Sequence, residues 1–307
     1  MHNQRRTPAL DTKSLKNLKE LDYNKAGGVI VDELRKLLCA PNIFGGSIAV
    51  AYVFYSAKVK GYAEISDPEF YIKNEIEDKN ISYFIRDAIA FGWNKLTSLY
   101  NQFDSDTLKA YILFGNEFTG KYGSEQTTPD SLCQLANRLL EIQPGEAVAD
   151  FGTGKGNFIV DAYSKCPTAT YYGNDINTDA SAIAYIRATL LGDNVTVAQE
   201  DMFNMDLNEK RFDKIFSNYP FGMRLRDLGD GRVYLERDAN KFPSMTQATS
   251  SDWVFNTLLI TCMNIGGKAV GIMTNGSTWN SLDKPIREFF IRKGYVESII
   301  ALSDKLF

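Results

Sequence analysis

A chain of 307 residues, 44% hydrophobic and 23% charged, has the composition of a globular protein of about two domains. No run approaches the roughly 18 uninterrupted apolar residues of a membrane span, and the formal net charge of −4 excludes nucleic-acid binding by bulk charge alone. The single histidine, His2, removes Ser-His-Asp triads, Cys-His pairs and histidine metal sites from consideration.

Cys39, Cys133, Cys166 and Cys262 form no CxxC pair, so buried free thiols are expected rather than zinc or a disulfide framework, and no metal site is predicted. The N-terminal Met-His-Asn-Gln-Arg-Arg has no apolar core behind it and does not read as a secretory signal. A cytoplasmic location and no membrane partner are expected.

Residues up to about Asp11 read as a flexible arm. From Thr12 to about Phe118 the pattern is mainly helical. Val29 to Leu38 repeats apolar residues at helical spacing, and Ile48–Ala57, Ile81–Phe91 and Leu108–Phe114 read the same way. Pro41, Gly45-Gly46, Pro68 and Ser105-Asp106 punctuate them. Residues 1–118 are thus predicted to form an all-helical N-terminal domain, and residues 119–307 a second domain. Pro129–Leu140 is predicted helical, with Leu132, Leu135, Ala136 and Leu139 on one face.

The rhythm then alternates. Strands are predicted at Ala147–Asp150, Thr170–Asp175, Val195–Gln199, Phe212–Ser217, Lys268–Met273 and Val296–Ala301. Helices fall at Phe158–Ser164, Ala180–Leu191, Ser251–Met263 and Lys284–Arg292. Such alternation signals an α/β fold, a Rossmann-like doubly wound parallel sheet with helices on both faces.

The first strand ends in Asp150-Phe151-Gly152-Thr153-Gly154-Lys155-Gly156-Asn157-Phe158. Glycines allow a sharp turn and close approach of backbone to ligand. The spacing and leading acid differ from the usual dinucleotide turn, whose pyrophosphate sits on a helix N-terminus. An acid near the cationic end of a sulfonium ligand is electrostatically sensible. Asp175, followed by Ile176, ends the second strand, where a carboxylate suits two ribose hydroxyls. Asp201-Met202 follows the third, where an acid beside apolar residues suits an adenine. Taken singly, Asp175 and Asp201 are equally readable as helix caps or solvated loop acids. As an ordered set with the glycine turn they point to S-adenosyl-L-methionine, in a class I methyltransferase fold.

The fourth strand ends in Asn218-Tyr219-Pro220-Phe221-Gly222. With the upstream motifs, this resembles the N6-adenine DNA methyltransferases, whose motif here is Asn-Pro-Pro-Phe or Tyr. The closest resemblance is to the modification (methylase) subunit of type I restriction-modification systems. Thr127-Thr128-Pro129, Ser251–Phe255, Gly266-Gly267-Lys268 and Thr274-Asn275-Gly276 stand in that family's order.

The resemblance implies methyl transfer from S-adenosyl-L-methionine to adenine N6. Asn218 and a backbone carbonyl would accept hydrogen bonds from the amino group, and Phe221 would stack on a flipped-out base. It implies DNA, a specificity subunit and a restriction subunit as partners. It also implies cofactor contacts from Thr128-Pro129, for which a plain helix N-cap is the competing reading. Tyr219 stands where the family has proline, and is compatible with an active or a weakened site.

Arg224, Arg226, Arg232 and Arg237 lie in a polar loop after the catalytic turn, suited to substrate phosphates or to solvent. A last antiparallel strand and a helical C-terminal tail are not expected within these residues. Protein glutamine N5-methylation and a non-catalytic cofactor-binding scaffold are the alternative functions.

Overall fold

The computed structural model describes residues 9–116, 127–205, 211–220, 222–229 and 241–303. The N-terminal region is helical, and local capping explains most of its boundaries. The side chain of Asp11 accepts from the Ser14 amide at 2.7 Å to start α1 (Thr12–Lys19). α2 (Tyr23–Leu37) ends in a left-handed Leu38. Asn42 caps α3 (Ile43–Val59), which is apolar on all sides and buried from Phe44 to Ala57 except at the half-buried Tyr52 and Ser56. A helix of that pattern belongs inside a core. Asp67 and Pro68 start α4 (Pro68–Glu75), Asp78 caps α5 (Lys79–Ala88), and α6 (Trp93–Leu96) follows. Asp104 caps α7 (Ser105–Phe114). Among the described residues no helix is long and apolar enough to cross a membrane.

The second region is an alternating α/β array. α8 (Asp130–Leu140) leads into β1 (Ala147–Phe151), α9 (Asn157–Lys165), β2 (Thr170–Asp175), α10 (Thr178–Leu191), β3 (Val195–Gln199) and β4 (Phe212–Ser217). Then come α11 (Ser251–Thr261), β5 (Met263–Gly271), α12 (Asn275–Trp279) and α13 (Lys284–Arg292). The five strands pair in the order β3-β2-β1-β4-β5, every pair parallel. This is the strand order expected of a class I S-adenosylmethionine-dependent methyltransferase fold. The chain reverses its winding direction between β1 and β4, so the loops after both strands meet at one rim.

Strand alternation divides the core. Val148 and Phe216 face one cluster with α8, α9 and α10, whereas Ala149, Phe151 and Ile215 face a second cluster with Val254, Phe255, Leu258 and Leu259 of α11. The first cluster continues without a break into the N-terminal helices, through Ile30, Ile48, Phe54 and Ile112. The expected domain boundary between residues 118 and 119 lies outside the described residues.

Three expectations are corrected. Val296–Ala301 forms no strand: residues 296–300 are all exposed, so no apolar burial offsets the cost of ordering them against the sheet. The segment lies near β5, with Glu297 at 3.6 Å from Lys268, but makes no ladder. β5 begins earlier than expected, at Met263, because a register shift between Phe212 and Lys214 absorbs the Asn264–Gly267 stretch. On α8 the buried face is Leu132, Cys133, Ala136, Asn137 and Leu140, with Leu135 and Leu139 only half-buried. The helix is rotated toward α9, where Asn137 donates to Asp161 at 2.7 Å. The four cysteines are free and buried, as expected.

Candidate active site

The parallel sheet brings the ends of β1, β2, β3 and β4 to one rim, and the expected motifs sit on those ends. Gly152, Gly154 and Gly156 all have left-handed backbone, with φ of 70°, 54° and 84°. A side chain is strained in that region, which is why the turn needs glycine at these three positions. Gly156 is the N-cap of α9. The Thr153 amide donates to the Asn174 carbonyl at 2.8 Å, and the Gly154 amide donates to Asp175 Oδ2 at 2.7 Å. The glycine turn is therefore fastened to the end of β2.

Asp150 is 2% exposed. One carboxylate oxygen accepts from the Thr153 hydroxyl at 2.7 Å, and Oδ1 has no partner. Burial raises its pKa to about 7; the Thr153 bond opposes this and the Asp175 charge adds to it. An unpartnered buried carboxylate oxygen beside a glycine turn is what a cationic ligand group would satisfy. The donor set thus fits S-adenosyl-L-methionine, whose methionine end carries an ammonium and a sulfonium.

Asp175 is not a helix cap. Asn177 caps α10, accepting from the Ala180 amide at 2.9 Å, while Asp175 Oδ1 accepts from the Asn177 amide at 2.8 Å. Both its oxygens retain further acceptor capacity. Ile176 is 70% exposed, an apolar face at the rim. Asp201 does cap a short 3₁₀ turn, accepting from the Phe203 amide at 2.9 Å. Met202 lies across from the turn: its methyl would be 3.5 Å from a Cβ on Gly152. Phe158 points away from the rim, buried and stacked on Phe216 with centroids 4.4 Å apart.

At the end of β4, the Ser217 hydroxyl donates to the Phe151 carbonyl at 2.7 Å and ties the two strand ends together. Asn218 follows. Its amide nitrogen donates to Thr128 Oγ1 at 3.2 Å, and its Oδ1 is buried without a partner. The Thr128 hydroxyl therefore serves Asn218 and makes no helix cap; Pro129 occupies the cap position with no side-chain bond. Asn157 completes the join, donating from Nδ2 to the Thr128 carbonyl at 3.2 Å and to Asn116 Oδ1 at 3.2 Å.

Tyr219 is 1% exposed, and its ring leaves the rim. It stacks on Phe255 with centroids 4.5 Å apart and planes 13° apart, inside the cluster under α11. Burial, with the nearby Asp252 charge, raises its phenol well above the ordinary value. Only the Tyr219 backbone is left at the turn. Pro220 is exposed; Phe221, Arg232 and Arg237 lie outside the described residues. Arg224 donates to the Ala248 carbonyl at 3.3 Å, and Arg226 pairs with Asp227 at 3.6 Å.

Two side chains of this site were not anticipated from the sequence. Ser217 gave no signal beyond closing a strand. Arg187 was visible as a lone charge among Ile183, Ala184, Ile186, Ala188, Leu190 and Leu191 of α10. It is 2% exposed and donates to Asn157 Oδ1 at 2.6 Å and to the Lys155 carbonyl at 2.8 Å.

Known proteins resemble this chain in sequence and in fold. The N-6 DNA Methylase family profile matches residues 108–307. A release factor glutamine methyltransferase of Bordetella pertussis is 28% identical over 171 residues, which are 47% of this chain and 63% of that protein. Two solved structures share the fold over 92% of this chain and 79% of their own. One is the methyltransferase subunit of a type I restriction-modification system from Streptococcus thermophilus (TM-score 0.57, 13% identity). The other is a putative class I S-adenosylmethionine-dependent methyltransferase from Listeria monocytogenes (TM-score 0.55, 15% identity). The chain belongs to the N-6 DNA methylase family.

Proposed function

We propose that the chain is the methylase subunit of a type I restriction-modification system and transfers methyl to adenine N6 in DNA. The observation that carries this reading is Asn218 Oδ1, a buried acceptor with no partner at the end of β4. An exocyclic amino group is the donor that would satisfy it. The lone pair of adenine N6 is delocalised into the ring. Hydrogen bonds from N6 to Asn218 Oδ1 and to the Tyr219 carbonyl draw the nitrogen toward tetrahedral geometry and localise that pair. When bound, S-adenosyl-L-methionine supplies an electrophilic methyl on a sulfonium. In that transfer Asn218 Oδ1 and the Tyr219 carbonyl would hold the two N6 protons, one of which would afterwards leave to solvent.

Asp150, Gly152, Thr153, Gly154, Gly156, Asn157, Asp175, Ile176, Asp201 and Met202 hold the methyl donor in this reading. Thr128-Pro129 lines its methionine end, and Phe221 stacks on the base. Phe158 supports the turn from below. Most of the rate comes from proximity and preorganised acceptors, so no histidine is needed. The modest negative charge of the chain fits a partner that supplies sequence recognition. The partners in this reading are a specificity subunit, a restriction subunit and DNA.

One observation favours a second reading. The Bordetella relative is named for glutamine methylation, and a side-chain amide presents a similarly delocalised nitrogen to Asn218. The two separate in one assay. Purified protein with radiolabelled methyl donor is offered unmethylated DNA, with and without the specificity subunit, or a release-factor protein. N6-methyladenine in digested DNA supports the main reading. Label confined to the protein substrate replaces it with the second. Asn218→Ala is expected to abolish transfer while cofactor affinity, measured by calorimetry, stays within about threefold. Normal turnover in that variant would remove Asn218 from its assigned role.

A further inference from the structure

Arg187 is a fully buried guanidinium, and among the described residues no carboxylate forms an ion pair with it. Its nitrogens are instead taken by neutral acceptors from two separate parts of the chain. Nε donates to the Ile112 carbonyl at 2.8 Å and Nη2 to the Gly115 carbonyl at 2.6 Å, at the C-terminal end of α7. Nη1 donates to the Lys155 carbonyl at 2.8 Å and to Asn157 Oδ1 at 2.6 Å, at the cofactor turn. Carbonyls at a helix C-terminus lack intrahelical donors and carry partial negative charge, so they can hold a cation without a counter-ion. Burial lowers the pKa of Arg187 to about 10, so it stays charged at neutral pH.

The bonds continue beyond the turn. Because Arg187 occupies Asn157 Oδ1, the Asn157 amide nitrogen is aimed at the Thr128 carbonyl, 3.2 Å away. The Thr128 hydroxyl in turn accepts from Asn218 Nδ2 at 3.2 Å. That last bond anchors the nitrogen end of the Asn218 amide and leaves Oδ1 as the free acceptor. A flipped amide would present a donor to an incoming amino group, and the two would repel.

We propose that Arg187 is a positioning residue: acting through Asn157 and Thr128, it orients the Asn218 amide and couples that orientation to the cofactor turn. The role depends on reading Asn218 as the acceptor for a substrate amino group. A simple buried-cation role would stabilise the fold without touching Asn218.

The test uses the full-length chain, labelled with 15N at asparagine, with the side-chain amide signals of Asn157 and Asn218 assigned by single substitution. Thr128→Val cuts the last link. It is expected to shift the Asn218 signal and speed its exchange with water while leaving that of Asn157 in place. Arg187→Lys, which keeps the charge but supplies fewer fixed donors, is expected to move both signals. If Arg187→Lys does not fold, Asn157→Ser interrupts the same chain one step later and is expected to move the Asn218 signal.

In turnover, Thr128→Val and the folded upstream variant are each expected to lower kcat about tenfold to a hundredfold. The Asn218 signal staying fixed in Thr128→Val, or in the folded upstream variant, would overturn the proposal. Wild-type protein that transfers no methyl to DNA would count against the proposed substrate alone, because the amide spectrum decides the positioning role independently.

Discussion

Asp150 is the carboxylate whose ionisation the fold resists most visibly, and its environment sets a pH dependence. Its folded-state pKa of about 7 lies above the ordinary 3.8. The neutral form is thus favoured on folding. The stabilisation this gives is complete below the ordinary value and is lost as pH rises through about 7. A cationic ligand reverses the preference, because it favours the carboxylate. Cofactor affinity is therefore expected to rise with pH up to about 7 and then level off, with protons released on binding below that value. Calorimetry in buffers of different ionisation enthalpy reads both effects. Asp150→Asn is expected to weaken binding and to flatten the profile. An unchanged affinity across this range in the wild type would mean that Asp150 does not face the cationic end of the cofactor. Asp175, in contrast, spends one acceptor site of each oxygen on the Gly154 and Asn177 amides. Asp175→Ala should therefore loosen the glycine turn as well as remove a ligand contact.

The turn after β4 explains how tyrosine can stand at a position where related motifs carry proline. The strand delivers Asn218 to the rim and the next side chain to the opposite face, where α11 provides Phe255 as a stacking partner. Tyr219 is thus a core residue whose backbone serves the site. Tyr219→Ala is expected to cost about 3–5 kcal/mol of stability through the cavity it leaves. Tyr219→Phe is expected to change stability by less than about 1 kcal/mol, since the hydroxyl finds no hydrogen bond within normal limits. It should also retain methyl transfer. Denaturant melts and the transfer assay check these together, and a Tyr219→Phe variant that is stable but inactive would place the hydroxyl in the chemistry. The sequence made such elements legible where the determinants are local. The glycine turn, the acids at strand ends and the capping residues act within a few positions of themselves. The destination of the Tyr219 ring was not legible, because it depends on which helix covers that face of the sheet. The Thr128–Asn218 bond joins residues 90 apart, and the Arg187–Gly115 bond residues 72 apart, so neither leaves a mark in local spacing.

At the scale of the molecule, the helical and α/β regions share one buried cluster. The cluster on one face of the sheet runs from Leu15 through α3 and α7 to Phe158, Ile186 and Phe216. Polar contacts cross the same boundary. Tyr185 of α10 donates to Asp78 at 2.7 Å, Lys155 of the cofactor turn lies 4.9 Å over the Phe44 ring, and Arg187 joins α7 to that turn. Sequence periodicity identified the helices but not this shared burial, because a helix that is apolar on all sides, such as α3, does not reveal what it packs against. The consequence is testable by dissection. A fragment beginning at Thr127 would expose the α10 face formed by Ile183 and Ile186, leave Arg187 without its α7 acceptors and release the cofactor turn from its support. Such a fragment is expected to show no cooperative thermal transition by circular dichroism and no cofactor binding by calorimetry. Co-expression with residues 1–116 is expected to restore both, because the missing surface is supplied in trans. A fragment that melts cooperatively near the full-length temperature would instead establish the α/β region as an independent folding unit, with the N-terminal helices as an appended layer.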